Sequence, residues 1–160
     1  MDVLSDKWNK RFVSLAYTVS EWSKDTSTKT GAVIMTREGE PVSFGYNGMP
    51  PNVNDDVPER NERPLKYKYF EHAERNAIYG ATIADLSNCI LYCTHYPCTD
   101  CARGIIRKRI KTVVVDSKHG SKGCTGFNER WNESFSESKI MFEEAGVEII
   151  EVSLTGENNE

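Results

Sequence analysis

Asn88-Cys89-Ile90-Leu91-Tyr92-Cys93-Thr94, then Pro97-Cys98-Thr99-Asp100-Cys101, then Thr112-Val113-Val114-Val115-Asp116 sets the architecture of this chain. Residues 88–94 and 112–116 read as strands, the second built on three consecutive valines. Residues 99–110 between them read as a helix. A strand, a helix and a strand in succession imply a parallel crossover. Toward the N-terminus, Trp8, Phe12, Leu15, Ala16 and Val19 recur at helical spacing and predict a helix over about 6–22, capped by Ser5 or Asp6. Residues 30–36 read as a buried strand, Arg37-Glu38-Gly39-Glu40 as a turn, and 41–46 as the antiparallel return. A helix is predicted over 70–81. Toward the C-terminus a helix over about 132–145 ends at Gly146, a good C-cap, and a last strand covers 147–152. The order α-β-β-α-β-α-β-α-β predicts an α/β fold: a three-layer α/β/α sandwich around a central mixed sheet of five strands.

The chain has 160 residues, enough for one domain with a real core, expected over about 10–152 with a flexible tail at 153–160. It is 38% hydrophobic and 28% charged, with a net charge of -4. That balance argues against DNA or tRNA as the main partner, and leaves room for a mononucleotide in a local basic pocket. The N-terminal residues lack the apolar stretch of a signal peptide, and no run is long enough to cross a membrane. The five cysteines are therefore expected in a reducing cytoplasm, as ligands or core residues and not as disulfides. Two loops stand out. Residues 47–68 are rich in turn formers and long for a structureless connection, which favours a functional role. Residues 119–126 hold three glycines and read as a mobile flank in which His119 has no catalytic part.

His72-Ala73-Glu74 and Cys98-x-x-Cys101 carry the chemistry. One imidazole and two thiols hold zinc through three bonds and leave its fourth position open. Cys98 and Cys101 share one side of a helix start, where the helix dipole favours thiolates. His72 and Glu74 are two apart and share no helix flank, so both reach one ion only if their helix points at it end-on. Two helix N-termini aimed at one zinc is the expected arrangement. The competing readings are a structural zinc, with His95 or Cys93 as the nearest fourth ligand, and a redox CxxC.

These motifs, His72 to Ile78 and Pro97 to Cys101, resemble the zinc motifs of the cytidine deaminase-like superfamily. Three further segments are similar to the deoxycytidylate (dCMP) deaminase family in particular: Ser23 to Ala32, Gly45-Tyr46-Asn47-Gly48-Met49-Pro50 and Asn54-Asp55-Asp56. With Glu143 to Val147 the likeness covers about residues 10–150. It implies the cytidine deaminase-like fold and zinc-dependent hydrolysis of dCMP to dUMP and ammonia, feeding thymidylate synthesis. It implies catalytic zinc on His72, Cys98 and Cys101, with Glu74 as a proton shuttle and not a ligand. It also implies a homohexamer, activated by dCTP and inhibited by dTTP with magnesium.

Several nucleotide contacts are expected. Ala73 is small enough for a pyrimidine to lie against the helix start, and its N–H can bond the ring O2. The superfamily resemblance assigns Asn47 to the sugar 3′-hydroxyl, against a plain turn residue before Gly48. Ser23 and Lys24 are candidates for the phosphate pocket, against a solvated loop. Tyr46 and Tyr96 are candidates for stacking on the base, against core packing. The effector is expected on the long loop, at Gly48, Asn52, Asn54, Asp55, Asp56 and Arg60, with Arg63 nearby. Arg75 suits a subunit contact or a ligand contact. Cys89, Cys93 and Cys124 are expected as core or free thiols. Rival readings are a tRNA adenosine deaminase, a deaminase of free nucleosides or riboflavin precursors, and a non-enzymatic zinc-binding module.

Overall fold

The structure, a computed structural model, describes residues 2–120 and 129–155. Helix α1 (Asp6–Ser20) begins where the Ser5 hydroxyl accepts from the Trp8 N–H at 3.4 Å. Its buried stripe, Phe12, Val13, Ala16 and Val19, lies against the sheet. The hairpin β1 (Gly31–Thr36) and β2 (Pro41–Tyr46) turns at Gly39, whose φ of 85° suits glycine. Helix α2 (Lys66–Tyr69) and helix α3 (Ala73–Gly80) lead to β3 (Cys89–Cys93), α4 (Thr99–Arg107), β4 (Thr112–Asp116), α5 (Glu129–Ala145) and β5 (Glu148–Val152).

The five strands form one sheet in the order β2-β1-β3-β4-β5. β1 runs antiparallel to both neighbours, with Ala32 opposite Gly45 and Cys93, while β3, β4 and β5 are parallel. β3 and β4 are buried along their whole length, as strands covered on both faces must be. Alternate residues feed two cores. Val33, Met35, Ile90, Tyr92 and Val114 face α1. Ala32, Ile34, Leu91, Cys93, Val113 and Val115 pack with Ala77 of α3, Ile105 of α4 and Phe142 of α5. This is the expected three-layer α/β/α sandwich with its mixed five-stranded sheet.

Element ends differ from the sequence reading for local reasons. α3 starts at Ala73 and not at Phe70, because Glu71 is held in a two-bond bridge to Gly48 (3.1 and 2.7 Å) and His72 stays extended at ψ 152°. α4 stops at Arg107, and Arg109 then takes a positive φ of 64°. The long 47–68 segment is not structureless. It holds a 3-10 turn at Pro58–Asn61 and the helical turn α2. His119 belongs to a 3-10 turn, Ser117–His119, and not to an open loop. Leu154 packs on the α1 side of the sheet, so the ordered chain runs past 152. Cys124, residues 121–126 of the glycine-rich segment and the tail from 156 lie outside the described residues. Among the described residues no helix is long and apolar enough to cross a membrane.

Candidate active site

α4 opens just beyond the C-terminal end of β3, and α3 opens beside it. Crevices at such strand ends are where open α/β sheets bind ligands. His72 is the N-cap residue of α3 and Cys98 that of α4. The two helix starts therefore face one point, as the end-on argument requires. His72 Nδ1 lies 3.3 Å from Cys98 Sγ and 3.4 Å from Cys101 Sγ. Zinc bonds of about 2.3 Å to sulfur and about 2.0 Å to nitrogen in a tetrahedron place N and S about 3.5 Å apart. Both nitrogen–sulfur spacings thus suit zinc. Among the described residues, these three are the one group of His, Cys, Asp and Glu donors close enough to share an ion. His95 and Cys93, the candidates for a closing fourth ligand, are not in it.

Glu74, in the first turn of α3, is buried and has Oε2 3.5 Å from Cys101 Sγ. Burial pushes its carboxyl above the usual range, against the opposing pull of His72. The hydrogen bond to Cys98 raises His72 to about 9. Cys98 falls to about 4, chiefly through its hydrogen bond with Cys101 and then through His72, while Cys101 is pushed well up. The ligand cluster therefore retains protons that a dication displaces on binding.

His72, Glu74 and Cys98 line a cavity of about 150 Å³. Asn47 and Tyr96, two of the residues named from the sequence, line it. Tyr96 is buried and packs edge-on against Phe135 and Phe142, at centroid distances of 5.9 and 6.2 Å. Ala73 is fully buried at the first position of α3, between His72 and Glu74. His95 also lines the cavity. Burial and its stacked neighbour His119, 4.0 Å away, hold it down to about 4, so a neutral ring faces the site.

The cytidine and deoxycytidylate deaminase zinc-binding region, as a family model, matches residues 6–117. The chain belongs to that family. An uncharacterized deaminase in the luxG 3′ region of Aliivibrio fischeri is 43% identical over 143 residues, covering 89% of this chain and 92% of that protein. The mouse deoxycytidylate deaminase is 36% identical over 148 residues, covering 88% of this chain and 77% of that enzyme. The dCMP deaminase of cyanophage S-TIM5, solved with dCMP and dUMP, shares the fold with a TM-score of 0.70 at 21% identity, covering 91% and 97% of the two chains.

Within this deaminase fold, two expected phosphate contacts fall elsewhere. Ser23 and Lys24 do not line the cavity. The Ser23 hydroxyl is buried, donating to Asn47 O at 2.7 Å and accepting from Asp25 N at 3.1 Å. Lys24 is exposed and pairs with Asp55 at 2.8 Å, which places it with the long loop. Tyr46 also lies away from the cavity, edge-on to Trp22. Arg75 pairs with Glu71, whose carboxylate also accepts from the His72 N–H at 2.9 Å. The effector candidates are tied to one another. Asn54 accepts from Asp56 N at 3.0 Å, and Arg60 donates to Asn54 O at 2.8 Å and covers the Tyr69 ring. Asn52 adopts φ 68°, and Gly48 anchors the bridge to Glu71. None of these lines the cavity.

Sequence reasoning did not place Asp25, Thr28, Lys66, Phe70 or Phe135 in this wall, and assigned Arg63 to the effector. Asp25 carried a signal: it stands in the family-like segment beside the two residues chosen instead. Lys66 carried none, because its partner is 41 residues away in the chain.

Proposed function

We propose that this chain hydrolyses dCMP to dUMP and ammonia, with zinc held by His72, Cys98 and Cys101. One observation carries the reading: a buried carboxylate, Glu74, stands beside a three-donor metal group at the wall of a cavity lined by Asn47 and Tyr96. The similarity to the mouse deoxycytidylate deaminase supports the choice of dCMP. Zinc, when bound in such an open site, lowers the pKa of water and supplies a nucleophile at neutral pH. Glu74 would take the proton released by the water and deliver it to ring N3, then take the proton of the new C4 hydroxyl and deliver it to the leaving 4-amino group as the C4–N bond breaks. Its burial-raised carboxyl suits a group that must hold a proton between two transfers. Ala73 N–H, at a helix start with its orphan donors, is aimed at the ring O2. Tyr96 packs beside the base, and Asn47 takes the sugar 3′-hydroxyl. The 5′-phosphate falls to Arg63, a cation of the cavity wall with no carboxylate partner among the described residues.

The family resemblance supports three further parts of this reading. The chain works as a homohexamer, supplying dUMP for thymidylate synthesis in the cytoplasm. The 47–68 segment binds the effectors dCTP and dTTP. Asp55 and Asp56 on that segment suit the magnesium that accompanies a triphosphate.

The test is ammonia release by the zinc-loaded protein from dCMP, deoxycytidine, cytidine and a tRNA anticodon stem-loop. Turnover of dCMP is expected to exceed the others, and dCTP and dTTP are expected to shift the rate curve in opposite directions. Deamination of the stem-loop, or no ammonia from any substrate with full zinc, overturns the proposal.

A further inference from the structure

Asn47 has almost no hydrogen-bonding capacity left for a ligand. Its Nδ2 donates to Asp25 Oδ2 at 3.1 Å and to Thr28 O at 2.9 Å. Its Oδ1 accepts from Thr30 N at 2.8 Å. A side-chain amide has two donor hydrogens and two acceptor lone pairs. Both hydrogens are used, and one lone pair remains. Toward the cavity, Asn47 can accept and cannot donate.

Asp25 is the hub of this arrangement. Its Oδ1 accepts from Ser27 N at 2.8 Å, Ser27 Oγ at 3.0 Å and Thr28 N at 3.3 Å, which shapes the turn presenting the Thr28 carbonyl. Lys66 Nζ holds both carboxylate oxygens, at 2.7 and 2.6 Å, and Ser27 Oγ at 2.8 Å. The Asp25 and Lys66 side chains are only 4% and 9% exposed. A buried ion pair is a poor way to gain stability, since an apolar pair of similar volume holds two segments as well or better. A carboxylate does something an apolar group cannot. It only accepts, so together with the Thr28 carbonyl and the Thr30 N–H it holds the neighbouring amide with its N–H side inward.

We infer that Asp25, anchored by Lys66, is a positioning residue that locks Asn47 as an acceptor and so selects nucleotides bearing a hydroxyl donor on the sugar. The inference rests on the reading of Asn47 as the sugar contact. It makes α2 part of the substrate site, since Lys66 carries the long loop to the cavity wall.

The experiment compares kcat/KM for dCMP with that for 2′,3′-dideoxycytidine 5′-monophosphate and for its 3′-fluoro analogue, which can accept but not donate. Wild type is expected to prefer dCMP over both by about tenfold, the worth of one hydrogen bond. Asn47→Ala removes the preference. Asp25→Asn, whose amide can itself donate to Asn47, brings the ratio down at least about threefold. The variant combining Asp25→Asn with Lys66→Met leaves no unpaired buried charge and does the same. A merely structural role lowers all substrates together and leaves the ratio alone. A ratio that collapses in Asn47→Ala but survives in both Asp25 variants overturns the inference while sparing the Asn47 reading. A ratio unchanged in Asn47→Ala overturns both. In wild type alone, use of the 3′-fluoro compound as well as dCMP shows that Asn47 is not locked, and overturns the inference whether or not the variants fold.

Discussion

Replacing Gly45 by Ala should damage the metal site from a distance. Gly45 lies where β2 passes under α3. A Cβ there would sit 2.2 Å from Ala73 O, 2.4 Å from Ala77 N and 3.0 Å from Ala77 Cα. Real Cβ atoms do not approach closer than 3.0 Å, so the start of α3 must retreat by about 0.8 Å, the difference between 3.0 and 2.2 Å. The obstacle is helix backbone and cannot swing aside. Overpacking of this kind costs about 1–3 kcal/mol. The larger effect is on chemistry, because Ala73 lies between His72 and Glu74. The present donor spacings match zinc to about 0.2 Å, and a displacement near 1 Å at a reacting group costs about a hundredfold in rate. Urea unfolding, zinc affinity by competition with a chromogenic chelator, and kcat/KM for dCMP separate the two effects. Gly31→Ala is the control. Its Cβ meets Ala16 O at 2.0 Å and so pushes α1, on the opposite face of the sheet. Similar destabilisation is expected from both, with weakened zinc binding and about a hundredfold rate loss confined mainly to Gly45→Ala. A Gly45→Ala protein with wild-type zinc affinity and kcat/KM within about threefold refutes the reasoning.

Four other outcomes follow from the geometry. Glu74→Gln keeps the shape of a buried side chain and should retain full zinc while losing about 10²–10⁴ in kcat; an active, zinc-loaded Gln variant contradicts the shuttle role. Arg63→Ala should raise KM for dCMP about tenfold and leave deoxycytidine unaffected, whereas Lys24→Ala should leave that preference intact; the reverse pattern would return the phosphate to Lys24. Chelation should abolish activity and lower thermal stability, and free zinc at 100 times its Kd should restore about 2.7 kcal/mol, read as a rise in urea midpoint; a zinc-independent midpoint argues against a bound ion. Burial pushes the Asp25 carboxyl up, but Lys66 and Ser27 outweigh it and hold it below its usual 3.8. A depressed carboxyl stabilises fully above its unfolded pKa and loses that contribution as pH falls through its folded pKa. The urea-midpoint difference between wild type and the variant combining Asp25→Asn with Lys66→Met should therefore be constant from pH 8 to about 5 and change only below about 4; a change centred near pH 6 would point to another group.

Local patterns made most of this molecule legible. The apolar spacing of Phe12, Ala16 and Val19, the run Val113-Val114-Val115, and the turn around Gly39 each act within a few residues, and each element appears where its pattern lies. The metal group was legible for the same reason. Cys98 and Cys101 are one turn apart, and His72 and Glu74 are two residues apart, so spacing alone restricts how they meet an ion. The boundaries that moved did so through partners the local pattern does not contain. α3 starts late because Glu71 pairs with Gly48, 23 residues earlier in the chain.

The polar wall of the cavity belongs to the second kind. Ser23, Lys24 and Asp25 are consecutive and equally polar on paper. In the fold, Ser23 turns inward to the Asn47 carbonyl, Lys24 turns outward to Asp55, and Asp25 turns to Lys66 and the Asn47 amide. The order of the residues settled the elements, the three-layer plan and the grouping of His72, Cys98 and Cys101, because periodicity and ligand spacing are short-range properties of a chain. Which loop side chains face the cavity was left to the packing of segments 22 to 41 residues apart, because a hydrogen-bond partner is chosen in space and not along the backbone.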